Sequence, residues 1–261
     1  MSPILSVRDL EKTFGSVVAA RDITLDFTPE QTVGIIGANG AGKTTFVNMV
    51  TGHLRPSQGA IHFEERDITG RPPREIKRLG IARSFQVAQI FPSLTVYDNI
   101  CAAAAIARGT DSMLARVLTP LASPETDAEA VAAMELFHIT PYRDVRAVNL
   151  PQGVRKLLDI AMAIAGTPRV LLLDEPTSGV SIQEKFAIMD VVMSALRSRR
   201  ITVLFVEHDM EIVSRFADRV LAFYDGTVIA DGPPAAALGD PKVQAFISGT
   251  KPRAGRQAIH A

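Results

Sequence analysis

A chain of 261 residues that is 47% hydrophobic and 21% charged has the composition of a globular protein with a core that needs no disulfide or metal staple. Its 28 Lys and Arg balance its 28 Asp and Glu, which excludes attachment to nucleic acid or anionic lipid by bulk charge. The one cysteine, Cys101, leaves no internal disulfide and points to a reducing compartment. The charged N-terminal segment reads as no signal peptide, and the longest soft stretch, residues 100–107, is far too short to span a bilayer, so any work at a membrane passes through a partner.

In chain order, residues 4–7, 17–19 and 24–27 read as short strands beside turn residues, an antiparallel β edge. Residues 32–36 form an apolar strand, and residues 43–51 a helix. The stretch 93–148 is Ala-rich with no strand pattern and reads as an inserted helical subdomain, reaching to about residue 165. The continuous apolar run 170–173 suits a strand buried on both faces. Ile182, Phe186, Met189, Met193 and Leu196 recur at helical spacing, a stripe read as core. Residues 202–206 are a further strand, with a helix from about Met210. Residues 219–224 and 227–230, joined by Asp225-Gly226, read as a hairpin. Alternation of strand and helix predicts an α/β fold with a mostly parallel sheet, and residues 1–249 read as one domain. The tail, 250–261, has no apolar period and reads as disordered.

The first chemistry-bearing motif is Gly37-Ala38-Asn39-Gly40-Ala41-Gly42-Lys43-Thr44, which fits G-x-x-x-x-G-K-[ST] and stands between a strand and a helix. Glycines let the backbone curl so that its N–H groups point at phosphate oxygens, and the helix N-terminus adds a positive dipole end. Lys43 is placed to reach the β- and γ-phosphates and Thr44 to ligate Mg²⁺, with Thr45 completing the loop. The second motif ends the strand at 170–173: Asp174 and Glu175 put two carboxylates at the carboxyl edge, where doubly wound sheets bind ligands. Asp174 is read as holding Mg²⁺ and Glu175 as the general base for an attacking water.

With these motifs in order, the chain resembles ABC transporter ATPases over about residues 4–249, a P-loop NTPase fold. Residues 80–86, ending in Gln86, look like that family's glutamine-loop strand, and Val206-Glu207-His208-Asp209-Met210 looks like its switch-histidine segment. Residues 80–86, 90–100 and the ending Asp240-Pro241 with 247–249 are similar to branched-chain amino acid importer ATPases. The resemblance implies that ATP and Mg²⁺ are bound, that Gln86 senses the metal and γ-phosphate, that His208 contacts the γ-phosphate, and that Phe14 stacks on adenine. It also implies transmembrane permease subunits, a second ATPase subunit, an indirect solute-binding protein, no nucleic acid, and a place on the cytoplasmic face of the membrane. His53, His62, His138 and His260 match nothing in the pattern and read as structural or surface residues.

One motif departs from the family. Its signature is Leu-Ser-Gly-Gly-Gln or Leu-Ser-Tyr-Gly-Gln, and here stand Leu150-Pro151-Gln152-Gly153-Val154. The serine that donates to the γ-phosphate on the opposite subunit is Pro151, which has neither hydroxyl nor backbone N–H. Gly153 is retained. Ser181 stands where Asp or Asn is frequent at the dimer seam. An exporter ATPase is the close alternative. A soluble non-transport ABC ATPase fits less well, since there is one phosphate loop and no heptad run, and a small-molecule kinase leaves Gln86 and His208 unexplained.

Overall fold

A computed structural model describes residues 2–84, 90–108 and 124–246, and the structural statements below concern those residues. Leu5–Phe14 (β1) and Val17–Phe27 (β2) form an antiparallel hairpin, longer than the short strands expected, because β-bulges carry the pairing through the polar residues between the apolar runs. Thr32–Gly37 (β3) is buried along its length and runs into Lys43–Val50 (α1). Gln58–Phe63 (β4) and Arg66–Asp67 (β5) extend the first hairpin into a four-stranded sheet of order β2-β1-β4-β5. These strands, and the helix Pro73–Leu79 (α2), carry no strong sequence signal. The strand β4 opens on an exposed Gln-Gly, and α2 buries one side chain, Ile76.

Ile81–Arg83 (β6) is a three-residue edge strand. The helices Val96–Arg108 (α3), Pro124–Leu136 (α4) and Gln152–Ala163 (α5) follow, with single 3₁₀ turns at Thr140–Tyr142 and Ala147–Asn149. The helix α3 packs on α4 and α5. Val170–Asp174 (β7), Ile182–Ser198 (α6), Thr202–Val206 (β8) and Met210–Phe216 (α7) complete the alternation. Arg219–Tyr224 (β9) and Thr227–Gly232 (β10) form the expected hairpin, and Pro234–Gly239 (α8) and Pro241–Phe246 (α9) close the described chain. The tail at 250–261 and residues 247–249 lie outside the described residues.

The main sheet has order β10-β9-β3-β8-β7-β6, parallel except for β10. The central strands β3, β8 and β7 are buried almost along their length because both faces are covered, whereas β10 at the edge is half-buried. Leu171, Leu173, Val203 and Phe205 join one core with the helical subdomain, while Val170, Leu172, Leu204 and Val206 join a second core with α1 and the antiparallel sheet. Of the predicted helical stripe, Met189, Met193 and Leu196 are buried and Phe186 packs at the margin, but Ile182 is exposed. The stripe starts one turn before the helix reaches the core. Register then places the chemistry: Ile35 and Asp174 both pair with Val206, so the phosphate loop, the two acids and His208 leave the sheet at the same carboxyl edge.

Candidate functional site at the carboxyl edge of the sheet

The loop between β3 and α1 is tied down by backbone approach as much as by side chains. Gly42 has φ 100°, and a Cβ there would lie 2.7 Å from the Ala19 carbonyl oxygen. A Cβ on Gly37 would lie 2.5 Å from the Phe223 oxygen. Both neighbours are main chain, so neither can give way. The Lys43 ammonium is buried and donates to Gly37 O at 2.6 Å and Ala38 O at 3.0 Å. Burial pushes its pKa down, and the charges of Glu175 and Asp174 hold it up. No acidic side chain sits in the first turn of α1 and none caps it, so its N–H groups face the loop cavity.

Asn39, Gly40, Ala41, Gly42, Lys43, Thr44, Thr45, Asp174, Glu175, Val206 and His208 line one cleft of about 200 Å³. Glu175 leaves β7 in the left-handed region, φ 49°, where a residue with a Cβ is strained. That turn carries its Oε1 to 2.9 Å from His208 Nε2. Beneath the pair, Glu207 is buried and accepts from Thr177 N at 3.0 Å, Thr177 Oγ1 at 2.7 Å and His208 N at 3.2 Å. Asp209 caps α7 by accepting from Glu211 N and Ile212 N, and it pairs with Lys185 on α6. The Asp209 carboxyl titrates below its ordinary range: burial opposes this, but the Lys185 contact and the two backbone donors outweigh it together. Asp174 is not free either. Its Oδ2 accepts from Arg83 Nη2 at 2.6 Å.

The other predicted residues are placed as follows. Phe14, at the end of β1, is 50% exposed with Lys12 Nζ 5.1 Å from its ring centre, and its hairpin leans on the phosphate loop through Ala19. Gly153 does not line the cleft. A Cβ on it would come within 2.7 Å of Ile188 Cδ1, the far end of a side chain on α6 that has to shift to admit it. Pro151 is the N-cap of α5, with no side-chain cap bond, and Gln152 folds against Gly179 of its own chain. Gln86 lies outside the described residues.

This donor set fits a polyphosphate with a hard divalent cation. A buried ammonium lines the cleft at the N-terminus of α1, which no side chain caps, and a hydroxyl and two carboxylates of the oxygen class that Mg²⁺ prefers stand beside it. Residues 20–178, more than half of the chain, match the family described as ABC transporter. The chain belongs to the ABC transporter ATPase family. It is an ATP hydrolase of the kind coupled to transport. It is 32% identical over 244 residues to the high-affinity branched-chain amino acid transport ATP-binding protein LivG of Escherichia coli (strain K12), covering 92% of this chain and 96% of that one. It is 31% identical to the lipopolysaccharide export system ATP-binding protein LptB of Acidithiobacillus ferridurans, covering 94% and 96%. The ADP conformation of MJ1267, an ATP-binding cassette of an ABC transporter, superposes with TM-score 0.85 at 30% identity, covering 95% of this chain and all of that one.

Within this ABC ATPase, several residues around the cleft escape motif reading. Arg83, itself bonded to Asn48, holds Asp174 from behind; Lys156, buried on α5, reaches Glu175 O at 3.4 Å; Thr177 and Glu207 support the His208 turn. A charged residue ending a buried strand was the available signal for Arg83, and a carboxylate inside the apolar-flanked 206–210 segment was the signal for Glu207. Lys156 sits at helical spacing among charged neighbours and carries no comparable mark.

Proposed function

We propose that this chain powers an importer of branched-chain or other hydrophobic amino acids, or of related small solutes, from the cytoplasmic face of the membrane. The observation that carries this reading is the likeness to LivG along nearly the whole of both chains. No described helix is long and apolar enough to cross a membrane, so the transmembrane path belongs to permease subunits. In this reading Phe14 stacks on adenine. The loop from Gly37 through Asn39, Gly40, Ala41, Gly42, Lys43, Thr44 and Thr45 wraps the phosphates. Thr44, Asp174 and Gln86 are the residues that would hold Mg²⁺, which when bound neutralises phosphate charge. Glu175 takes the proton of the attacking water, and His208, bonded to Glu175, orients it against the γ-phosphate. Reconstitution with candidate permeases and a solute-binding protein tests the reading: ATP-dependent uptake of labelled leucine, isoleucine or a related solute supports it. The likeness to LptB favours one other reading, an exporter ATPase, and ATP-driven release of a lipid or glycan in place of uptake would establish that instead.

The permease docks beside residues 90–100. Phe91 is 43% exposed and Val148 52%, and a hydrogen bond from Val148 N to the Pro92 oxygen holds the two segments side by side as an apolar surface. Ile90 and Tyr97 instead pack on the core, so the docking surface is narrower than the apolar residues of the segment suggest. Single cysteines at Phe91 and Val148 are expected to crosslink to the permease, and crosslinks confined to the opposite face of the ATPase would rule this surface out.

A second ATPase subunit completes the assembly, and we favour a different chain over a copy of this one. The residues for the chain's own site are intact, while the segment lent to the opposite site has Pro151 where a hydroxyl is needed. Exposed Ile182 lies just beyond the turn that Gln152 folds against, which suits a face covered by a partner. Loss of a hydrogen bond to a charged oxygen is worth about 1.5–3 kcal/mol, so the site this chain completes is weakened roughly 10- to 150-fold in γ-phosphate-dependent closure. Pro151→Ser should raise ATP affinity or ATPase activity of the assembled transporter. The isolated chain needs parallel melting curves, because serine at this N-cap also stabilises α5 by about 1 kcal/mol. An assembled transporter that gains stability and no activity makes the proline a variation at a helix start.

A further inference from the structure

The cleft has to admit a polyanion past two carboxylates, Asp174 and Glu175, with one ammonium, Lys43, inside it. Behind Asp174 lies a second cation. Arg83, the last residue of β6, is almost fully buried, its side chain 8% exposed. Its Nη2 donates to Asp174 Oδ2 and its Nη1 to Asn48 Oδ1, each at 2.6 Å. Asn48 belongs to α1, the helix that the phosphate loop opens, so one guanidinium ties the acidic strand end, the edge strand and the loop helix together. The planar fork makes both bonds at once, which a lysine cannot do.

We propose that Arg83 is the counter-ion of Asp174, a positioning residue that masks this carboxylate from an incoming nucleotide polyphosphate and fixes its orientation at the cleft. The argument rests on the reading of the cleft as the ATP site. At a partly buried edge a unit charge a few ångströms from a phosphate is felt strongly, because the effective dielectric is well below that of water. With Arg83 in place, Asp174 and its partner present no net charge to the ligand. Without it, the carboxylate repels the polyanion and is free to turn. The role differs from that of Lys43, whose ammonium lines the cleft, since Arg83 acts through Asp174 and is not among the cleft-lining residues.

The test is ATP affinity by calorimetry in EDTA, with no metal present, for four forms of the full chain: wild type, Arg83→Gln, Asp174→Asn and the double variant. Arg83→Gln is expected to weaken metal-free ATP binding by about tenfold, and Asp174→Asn to tighten it several-fold. The double variant, in which both charges vanish together, should return to within about threefold of wild type because the two opposite effects offset, and melting curves of all four forms separate this from damage to the fold. A double variant as weak as Arg83→Gln overturns the proposal, as does an Arg83→Gln affinity equal to wild type. Should Arg83→Gln fail to fold, Asp174→Asn and the double variant decide: tightening in the single variant that the double reverses to within about threefold of wild type supports the counter-ion role, and a double variant as tight as Asp174→Asn refutes it. Failure of the site reading itself has a separate signature, metal-free ATP binding left unchanged by Lys43→Ala.

Discussion

Lys43→Ala is expected to lower ATP turnover by at least about two orders of magnitude, on the scale of losing one preorganised donor aimed at developing charge. The size follows from where the ammonium sits. It is buried and satisfied by two loop carbonyls, those of Gly37 and Ala38, so it holds the loop's shape as well as supplying charge. Alanine removes the charge and leaves both carbonyls without that donor. Arginine does not rescue, because a planar guanidinium fork does not replace a compact ammonium that donates to two neighbouring loop carbonyls. Nucleotide affinity should fall together with turnover, since ground-state phosphate contacts are lost too. Phosphate release and equilibrium ATP binding on the purified chain measure both, and turnover within about threefold of wild type would remove Lys43 from the site.

Much of this site was legible because its parts are local. The phosphate loop is a contiguous run whose glycine spacing is dictated by backbone approach, and the structure shows the contacts that dictate it at Gly37 and Gly42. The acidic strand end was readable because a strand buried on both faces has no polar residue until it reaches the edge. What remained hidden is what depends on neighbours far along the chain. Arg83 meets Asp174 across 91 residues and Thr177 meets Glu207 across 30, and no spacing rule joins such pairs. The weakly patterned elements β4, β5 and α2 were hidden for a similar reason. Each buries few side chains and is held by pairing with β1 or β4 or by one buried side chain, so tertiary context and not local pattern fixes it. Gly153 teaches the converse. Its place in the family's signature implies a site on another subunit, whereas within this chain it meets a movable side chain, Ile188, so its own neighbours do not fix its identity.

Glu175→Gln should bind ATP and hydrolyse it some 10²- to 10⁴-fold more slowly, the range for loss of a positioned general base. The substitution is unusually clean here. Glutamine has the same shape, so the strained backbone at φ 49°, the bond from Glu175 N to Val206 O and the bond from Ser178 N to Glu175 O all persist. Its side-chain oxygen still meets His208 Nε2, the contact that stands at 2.9 Å in the native chain. Fold and affinity are therefore preserved while the basic oxygen is lost, and the melting temperature should stay within about 2 °C of wild type, as expected where no packing or cap changes. Removing a carboxylate from a polyanion site also lessens repulsion, so ATP affinity should hold or rise. Single-turnover hydrolysis beside equilibrium binding separates the two quantities. A variant that binds ATP normally and turns it over at the native rate would show that the attacking water is activated by another group, His208 being the next to test by His208→Ala.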